Sequence, residues 1–154
     1  MSVYATTFRV ANTINVPQLE AELEDKLASK LTTEESLTLV NTASTTLADL
    51  VTKNITAEVD DLILAECQIE YSASTTTHYG QFIMYINGVV AGIAATEYDA
   101  KTSTGGATQS IVVIGSAVDL TGTIAVAVKW KTENASTTIY SAQRRLQIMQ
   151  TKRR

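Results

Sequence analysis

The sequence predicts a mainly β protein, an antiparallel sandwich of about eight short strands preceded by an N-terminal arm and one short α-helix. Two observations carry that expectation. Beyond residue 60, the segments DLILAECQIEYSA, YGQFIMYINGVVAGI, QSIVVIGSAV and TGTIAVAVKWKT follow one another with turn signals between them. Short strands at regular spacing are the pattern of a sandwich or barrel. In addition, Thr makes up about one residue in six, and its branched β-carbon suits a pleated surface.

The first 36 residues read differently. Residues 1–16 form a Thr- and Asn-containing arm with apolar residues thinly spaced. Pro17 then suits a first helical position, where its missing N–H costs nothing. Leu19, Leu23, Leu27 and Leu31 recur every fourth residue and place a leucine stripe along one side of a helix spanning roughly 17–31. Glu20, Glu22, Glu24 and Asp25 crowd its positive end, while Lys26 and Lys30 lie toward the negative one, both favourable signs. A stripe this narrow must pack on the β domain, on copies of itself or on another protein. Thr32 with Glu35 has the spacing of a second capping box. The division drawn is an anchor of arm and amphipathic helix over 1–36 and a β-sandwich domain over 37–154.

Within that domain SLTLV and TTLADLV are short alternating runs. In LILAECQIEY, Ile63, Ala65, Cys67, Ile69 and Tyr71 share one face, and Glu66, Gln68 and Glu70 the other. Phe82, Met84 and Ile86 share a side of the next strand, with Ile83 and Tyr85 on its reverse, and Asn87-Gly88 is a strong hairpin signal. Residues 99–109 read as loop. Ile124, Val126, Val128 and Trp130 alternate with Ala125, Ala127, Lys129 and Lys131, and two alanines on one face permit close approach by another layer or subunit. TTIYSA and RRLQIMQTK close the chain as strands, the latter with Leu146 and Ile148 inward.

Several of these strands are apolar on one face and small or apolar on much of the other, whereas a sheet facing water alternates. The surplus apolar face calls for a partner. Residues expected at a contact between subunits are Phe82, Met84, Tyr85, Ala125, Ala127 and Trp130.

Charge and composition narrow the function. Charged residues are 18% of the chain, below the usual quarter. A net charge of −4 argues against nucleic acid as the main partner. Residues 1–61 hold ten acids against four bases, and residues 129–154 seven bases against one acid, so the chain has poles of −6 and +6. These could pair within one subunit or between neighbours. The N-terminus MSVYATTFRV lacks a basic start followed by an apolar run, and no stretch approaches a membrane span. The expected setting is synthesis in a host cytoplasm.

The inventory for chemistry is thin. Cys67 is single and on the apolar side of its strand, which predicts a buried, inert thiol. The one histidine, His78, sits in a loop with no nucleophile elbow near it, and one Cys with one His makes no ordinary zinc site. Asp60-Asp61 and Glu34-Glu35 are adjacent carboxylates that point to opposite faces of a strand. Asp99 and Asp119 could meet across loops around calcium, without EF-hand spacing. Gly105-Gly106 lacks the lysine and helix of a phosphate loop. The expectation is a protein with no catalytic residues, no metal and no cofactor.

The strand-and-turn pattern over about residues 45–152 resembles the small jelly-roll domains of tailed-bacteriophage virion proteins: head decoration (cement) proteins, head fibres and tail-fibre tips. The residues that carry the resemblance are Asp60-Asp61 at a turn, Asn87-Gly88 at a hairpin, Trp130 in a late strand, then Tyr140 and Arg145-Leu146. It implies a jelly-roll-like sandwich of two antiparallel sheets of about four strands, commonly a homotrimer, located in the virion. The role expected is a capsid decoration protein that binds and stabilises the head shell as a homo-oligomer, with the major capsid protein or another virion protein as partner. Tyr4, Phe8, Leu19, Leu23 and Leu27 are then the expected capsid contact. The alternative is a receptor-binding or fibre-tip module whose loops at 72–79 and 99–109 touch a host glycan or protein. A third class, a polysaccharide hydrolase, would need Glu97, Asp99 and Asp119 clustered.

Overall fold

The computed structural model describes residues 30–75, 77–97 and 109–152. Their regular structure is entirely strand: β1 (Lys30–Ser36), β2 (Val40–Thr42), β3 (Ala48–Ala57), β4 (Asp61–Ala73), β5 (Gly80–Ile86), β6 (Val89–Val90), β7 (Ala95–Glu97), β8 (Gln109–Val118), β9 (Gly122–Thr132), β10 (Ile139–Ser141) and β11 (Arg144–Lys152). All pairings are antiparallel.

The eleven strands fall into eight lanes. In sheet I, β1 and β2 are two halves of one lane and β11 and β10 two halves of the next, followed by β4 and then β8. In sheet II the order is β3, β9, β5, with β6 and β7 sharing the last lane along opposite ends of β5. Consecutive lanes therefore alternate between the sheets for most of the chain, which makes most connections cross from one layer to the other.

Alternation of side chains produces the core. β4 buries Ile63, Ala65, Cys67, Ile69 and Tyr71, and β5 buries Phe82, Met84 and Ile86, as their patterns predict. β9 adds Ile124, Val126, Val128 and Trp130, and β11 adds Leu146 and Ile148. Each large apolar side chain enclosed this way contributes about 1.5–3 kcal/mol before ordering costs. At its centre Phe82 meets Tyr71 edge-on at 5.2 Å between centroids, a geometry that aromatic quadrupoles favour, and lies tilted against Trp130 at 6.1 Å.

Two irregularities adapt this pattern. A bulge at Asp49/Val51 lets consecutive Leu50 and Val51 both turn inward. The pairing along β4 shifts by one residue between Tyr140↔Ser72 and Arg144↔Ile69, where β10 gives way to β11. The hairpin at Asn87-Gly88 has φ of 53° and 78°, the left-handed pair its sequence calls for. Gly92 and Gly115 mark a close crossing of the chain. A β-carbon on Gly92 would collide with the Ile114 carbonyl, and one on Gly115 would lie 2.6 Å from Met84 Cγ. Ser116 N–H donates to Ala91 O at 3.0 Å in the same place, so part of the β8 edge is satisfied by this crossing.

The chain's opposite charge poles meet within one copy. Lys152 Nζ lies 2.7 Å from Glu58 and 3.2 Å from Asp61, and Lys129 lies 3.1 Å from Asp49. The Glu58–Asp61 turn is closed by Glu58 N–H donating to Asp61 Oδ2 at 2.9 Å. Burial opposes ionisation of Asp61, but the Glu58 N–H, Lys152 and Gln150 together hold its carboxyl below the usual range.

Of the helix expected over 17–31, residues 17–29 lie outside the described residues. Lys30 and Leu31 are in β1, where they pair with Gln150 and Met149. Thr32 and Glu35, spaced for a capping box, are also in β1, since β11 offers that segment a full ladder of backbone partners.

Candidate interaction surface

The outer face of sheet I is the surface that departs from an ordinary solvated sheet. Register fixes its layout as a grid. One row runs Leu31, Met149, Leu64, Ser116 across β1, β11, β4 and β8. The next runs Thr33, Gln147, Glu66, Ile114, and the third Glu35, Arg145, Gln68, Val112. Leu62 and Val118 pair beyond the first row, and Glu70 and Ser110 beyond the third. The face thus has an apolar end, where the described chain begins at Lys30, and a polar end beside the β10–β11 break.

The apolar end is wet. Leu31 is 63% exposed and Ile114 60%, with Leu64, Val112, Val118 and Met149 also exposed. A groove of about 330 Å³ lies among Leu31, Leu64, Ala65, Glu66, Ile114, Gln147 and Met149. Leu31, Leu64, Ile114 and Met149, from neighbouring rows, all line that groove, and exposed apolar side chains grouped in this way are commonly functional on a monomer.

The polar end holds a second open groove of about 410 Å³, lined by Glu35, Gln68, Ile69, Glu70, Ser110, Gln143, Arg144 and Arg145. Arg144 is buried there. Its Nη1 donates to Thr38 O at 2.8 Å, while its Nε has no protein partner. Burial lowers its pKa, though a guanidinium remains charged at any ordinary pH. The lining mixes two guanidinium and two carboxylate groups with amides and a hydroxyl, a set able to hydrogen-bond in both senses.

The residues expected at a subunit contact lie elsewhere, on sheet II. Phe82, Met84 and Trp130 are buried in the core of a single copy, because it is their face of sheet II that meets sheet I. They are therefore out of reach of a second copy. Ala127 is on the outer face but only 5% exposed, seated between its cross-strand partners Thr52 and Tyr85. Tyr85 is half-buried with Lys129 5.4 Å above its ring, and Ala125 is half-buried opposite Asn54. That outer face mixes polar residues, Asp49, Thr52, Asn54, Gln81, Lys129 and Lys131, with the apolar Ile83, Tyr85 and Val90. Tyr4, Phe8, Leu19, Leu23 and Leu27, expected against a capsid, lie outside the described residues.

Among the described residues, His78, Cys67 and Asp119 lie in different parts of the fold. His78 Nδ1 lies 3.3 Å from Glu133 Oε2 in an exposed loop contact. Cys67 is buried and desolvation pushes its thiol up to about 12. Asp119 directly follows β8 with φ of 59°, and Asp99 lies outside the described residues, so Glu97, Asp99 and Asp119 are not seen to cluster. Among the described residues no three His, Cys, Asp or Glu side chains gather as a metal site, and no helix is long and apolar enough to cross a membrane.

No protein-family model matches the chain, and no curated protein matches it. Solved structures do. The capsid protein VP2 of infectious bursal disease virus, in a subviral particle, aligns over 79% of this chain and 32% of its own, at 13% identity and a TM-score of 0.53. The Gx strain of the same virus gives 14% identity over the same shares and the same TM-score. A sugar-binding protein, the C-terminal domain of EclA, aligns over 72% of this chain and 78% of its own at 7% identity, with a TM-score of 0.49. The chain spans about a third of the VP2 chains it matches. At these identities the likeness is one of fold: a β-sandwich of the kind found in viral capsid proteins.

Proposed function

We infer that this chain is a virion structural protein with a jelly-roll fold, acting without catalysis as a decoration protein on a capsid. The observation that carries this reading is the lane order. Numbering the lanes 1 to 8 along the chain, sheet I runs 1-8-3-6 and sheet II 2-7-4-5. That order supports the jelly-roll reading, since two Greek keys wound into two sheets produce it and jelly rolls are widely used in viral shells; the likeness to VP2 supports it as well. The scattered titratable groups favour a mechanical role over a chemical one.

In this role stabilisation comes from contact area repeated over many copies, at about 25 cal/mol per Å² before binding costs are subtracted. The arm at residues 1–16, with Tyr4 and Phe8, is the shell contact in this reading, and cyclic symmetry, a trimer, is the arrangement of copies.

The test is co-purification. Particles banded on a density gradient from cells carrying the gene should contain the chain in fixed ratio to the shell subunit. Release at mild denaturant with the shell intact marks decoration. Absence of the chain from every particle fraction overturns the reading.

A second reading, recognition of a host surface glycan, is favoured by the polar groove at Glu35, Glu70, Arg144 and Arg145. Binding on a glycan array that is lost in Arg145→Ala, with folding unchanged, would decide for it.

A further inference from the structure

We propose that β8 is a self-association edge: two copies pair their β8 strands antiparallel about a two-fold axis at Val112, joining two copies of sheet I into one continuous sheet. The occupant of the edge is thus a second copy of this chain. The inference does not rest on a virion role, and a two-fold at this place would join single copies or threefold assemblies alike in pairs.

The first observation is how the sheet edges are kept from pairing. A bare edge strand is a template for another chain, and proteins blunt it with charge, bulges or brevity. The β1/β2 edge of sheet I carries Lys30, Glu34 and Glu35 in one strand and continues in a strand of three residues. In sheet II, β3 carries Asp49 and Lys53 and is bulged at Asp49/Val51. The opposite edge of that sheet is made of β6 and β7, two and three residues long. β8 has none of these devices. Its ten residues, QSIVVIGSAV, include no charge and no proline, and its ladder with β4 runs without a shift of register. Among the described residues β4 is its one ladder partner.

The second is which backbone groups are open. Ser116 N–H donates to Ala91 O, away from β4, and the Ile114 carbonyl faces Gly92. Backbone groups along an antiparallel strand alternate in direction, so Ser110, Val112 and Ile114 also turn theirs to the free edge. The chain at Ala91-Gly92 takes up that edge from the Ile114 carbonyl onward. Among the described residues this leaves both groups of Ser110 and Val112 and the Ile114 N–H. The open stretch is symmetric about Val112. Antiparallel pairing sets Val112 against Val112 of the second copy and Ile114 against its Ser110, with about four main-chain hydrogen bonds.

The third is charge and exposure. Among the described strands of sheet I, the charges nearest the axis are Glu66, opposite Ile114, and Glu70, opposite Ser110, both in β4. In the joined sheet they stand three lanes, about 14 Å, from the β4 of the second copy, beyond the ~8 Å screening length at physiological salt. No like charges therefore oppose the pairing. Val112 and Ile114 are exposed on the outer face, and Ile93, next to the Gly92 that abuts Ile114, is 90% exposed. Val89 and Val90, at the start of that crossing chain, are exposed too. The edge is flanked by hydrocarbon on both sides, the setting of a contact and not of a solvated rim.

The experiment is mass by light scattering and sedimentation on the full chain, from low-micromolar to sub-millimolar concentration. The expected species doubles in mass as concentration rises. Val112→Pro removes the N–H at the axis and costs the β4 ladder no bond, because that N–H points to the free edge. Val112→Thr keeps it. Loss of both hydrogen bonds at the axis should weaken association about tenfold or more in Val112→Pro, while Val112→Thr stays within about threefold of the parent. Emission from buried Trp130 should be that of the folded sandwich in both. Val112→Cys should give a disulfide-linked dimer under mild oxidation, since opposed residues stand about 5.5 Å apart. Val118→Cys, about 40 Å from its counterpart in this register, should not, and native Cys67 is buried and does not compete. A chain of single mass at every concentration would overturn the proposal. So would an assembly, threefold or other, that Val112→Pro leaves unchanged, or a Val118→Cys chain that links as readily as Val112→Cys. Should Val112→Pro fail to fold, Val112→Lys serves in its place, opposing two lysines across the axis from an exposed position; unchanged association there counts against the pairing.

Discussion

Replacing Phe82 by Ala separates a core role from an interface role for the residues of sheet II. Phe82 is fully buried, edge-on to Tyr71 at 5.2 Å and 6.1 Å from Trp130. Removing its ring opens a cavity between the two sheets that these rigid neighbours cannot close. Phe→Ala at such a site costs about 4 kcal/mol, a figure that already includes the lost aromatic contacts. That is a large fraction of the about 5–15 kcal/mol that holds a domain together. At 2–4 °C per kcal/mol for a chain of this size, melting should fall by about 8–16 °C. The chain's single tryptophan is 3% exposed, so its emission follows unfolding directly. Tyr85→Ala is the internal control: half-buried on the outer face, it gives up a contact with Lys129 worth about 0.5–1 kcal/mol. The reasoning is refuted if Phe82→Ala melts within about 2 °C of the parent while light scattering shows an assembled species falling to monomer. Where Phe82→Ala does not fold, Phe82→Leu, with a loss of about 1–2 kcal/mol, carries the same comparison.

Acid unfolding followed by urea midpoint should report Asp61. Its folded pKa is depressed, so its contribution is complete above the unfolded carboxylate value and is lost as pH falls through the lower folded one; Asp61→Asn should flatten that limb and cost about 2 kcal/mol at neutral pH. Cys67, with its thiol pushed up to about 12 by burial, should resist a thiol reagent at pH 8 in the folded chain and react at once in denaturant. Gly92→Ala should destabilise by about 1–3 kcal/mol, because its β-carbon meets the Ile114 carbonyl with no flexible group to yield; a melting curve unchanged from the parent would contradict the crossing. Asn87→Ala should cost about 1 kcal/mol, since alanine resists a φ of 53°.

Much of the strand architecture was legible because local chemistry suffices for it. Ile63 to Tyr71 alternate without a fault, and they are buried in that order. Asn87-Gly88 specified a two-residue hairpin, and the structure has one. β1 was not legible. Its residues KLTTEES carry the charge and spacing of a helix end, and only the ladder with β11, more than a hundred residues away, makes them strand. The doubled inward residues Leu50-Val51 likewise depend on a bulge that the facing strand β9 imposes.

The side on which each strand faces its neighbours is a different kind of information, and it explains why Phe82, Met84 and Trp130, expected at a subunit contact, are core residues of a single copy. A strand that is apolar on both faces does not say which face is inside. In QSIVVIGSAV, Ile111 and Val113 point to the core, while Val112 and Ile114 point out. In TGTIAVAVKWKT the outward set is Ala125, Ala127, Lys129 and Lys131, which small size and charge already reconcile with water. The surplus hydrocarbon therefore resides on β8 and its neighbours in sheet I, where nothing in the outward set is charged until Glu66 and Arg145. Trp130 and Phe82 drew attention as the largest apolar groups, but size is what a core selects. Medium-sized side chains left at half exposure in consecutive rows, Leu31, Leu64 and Ile114, are the stronger sign of a surface that something else covers.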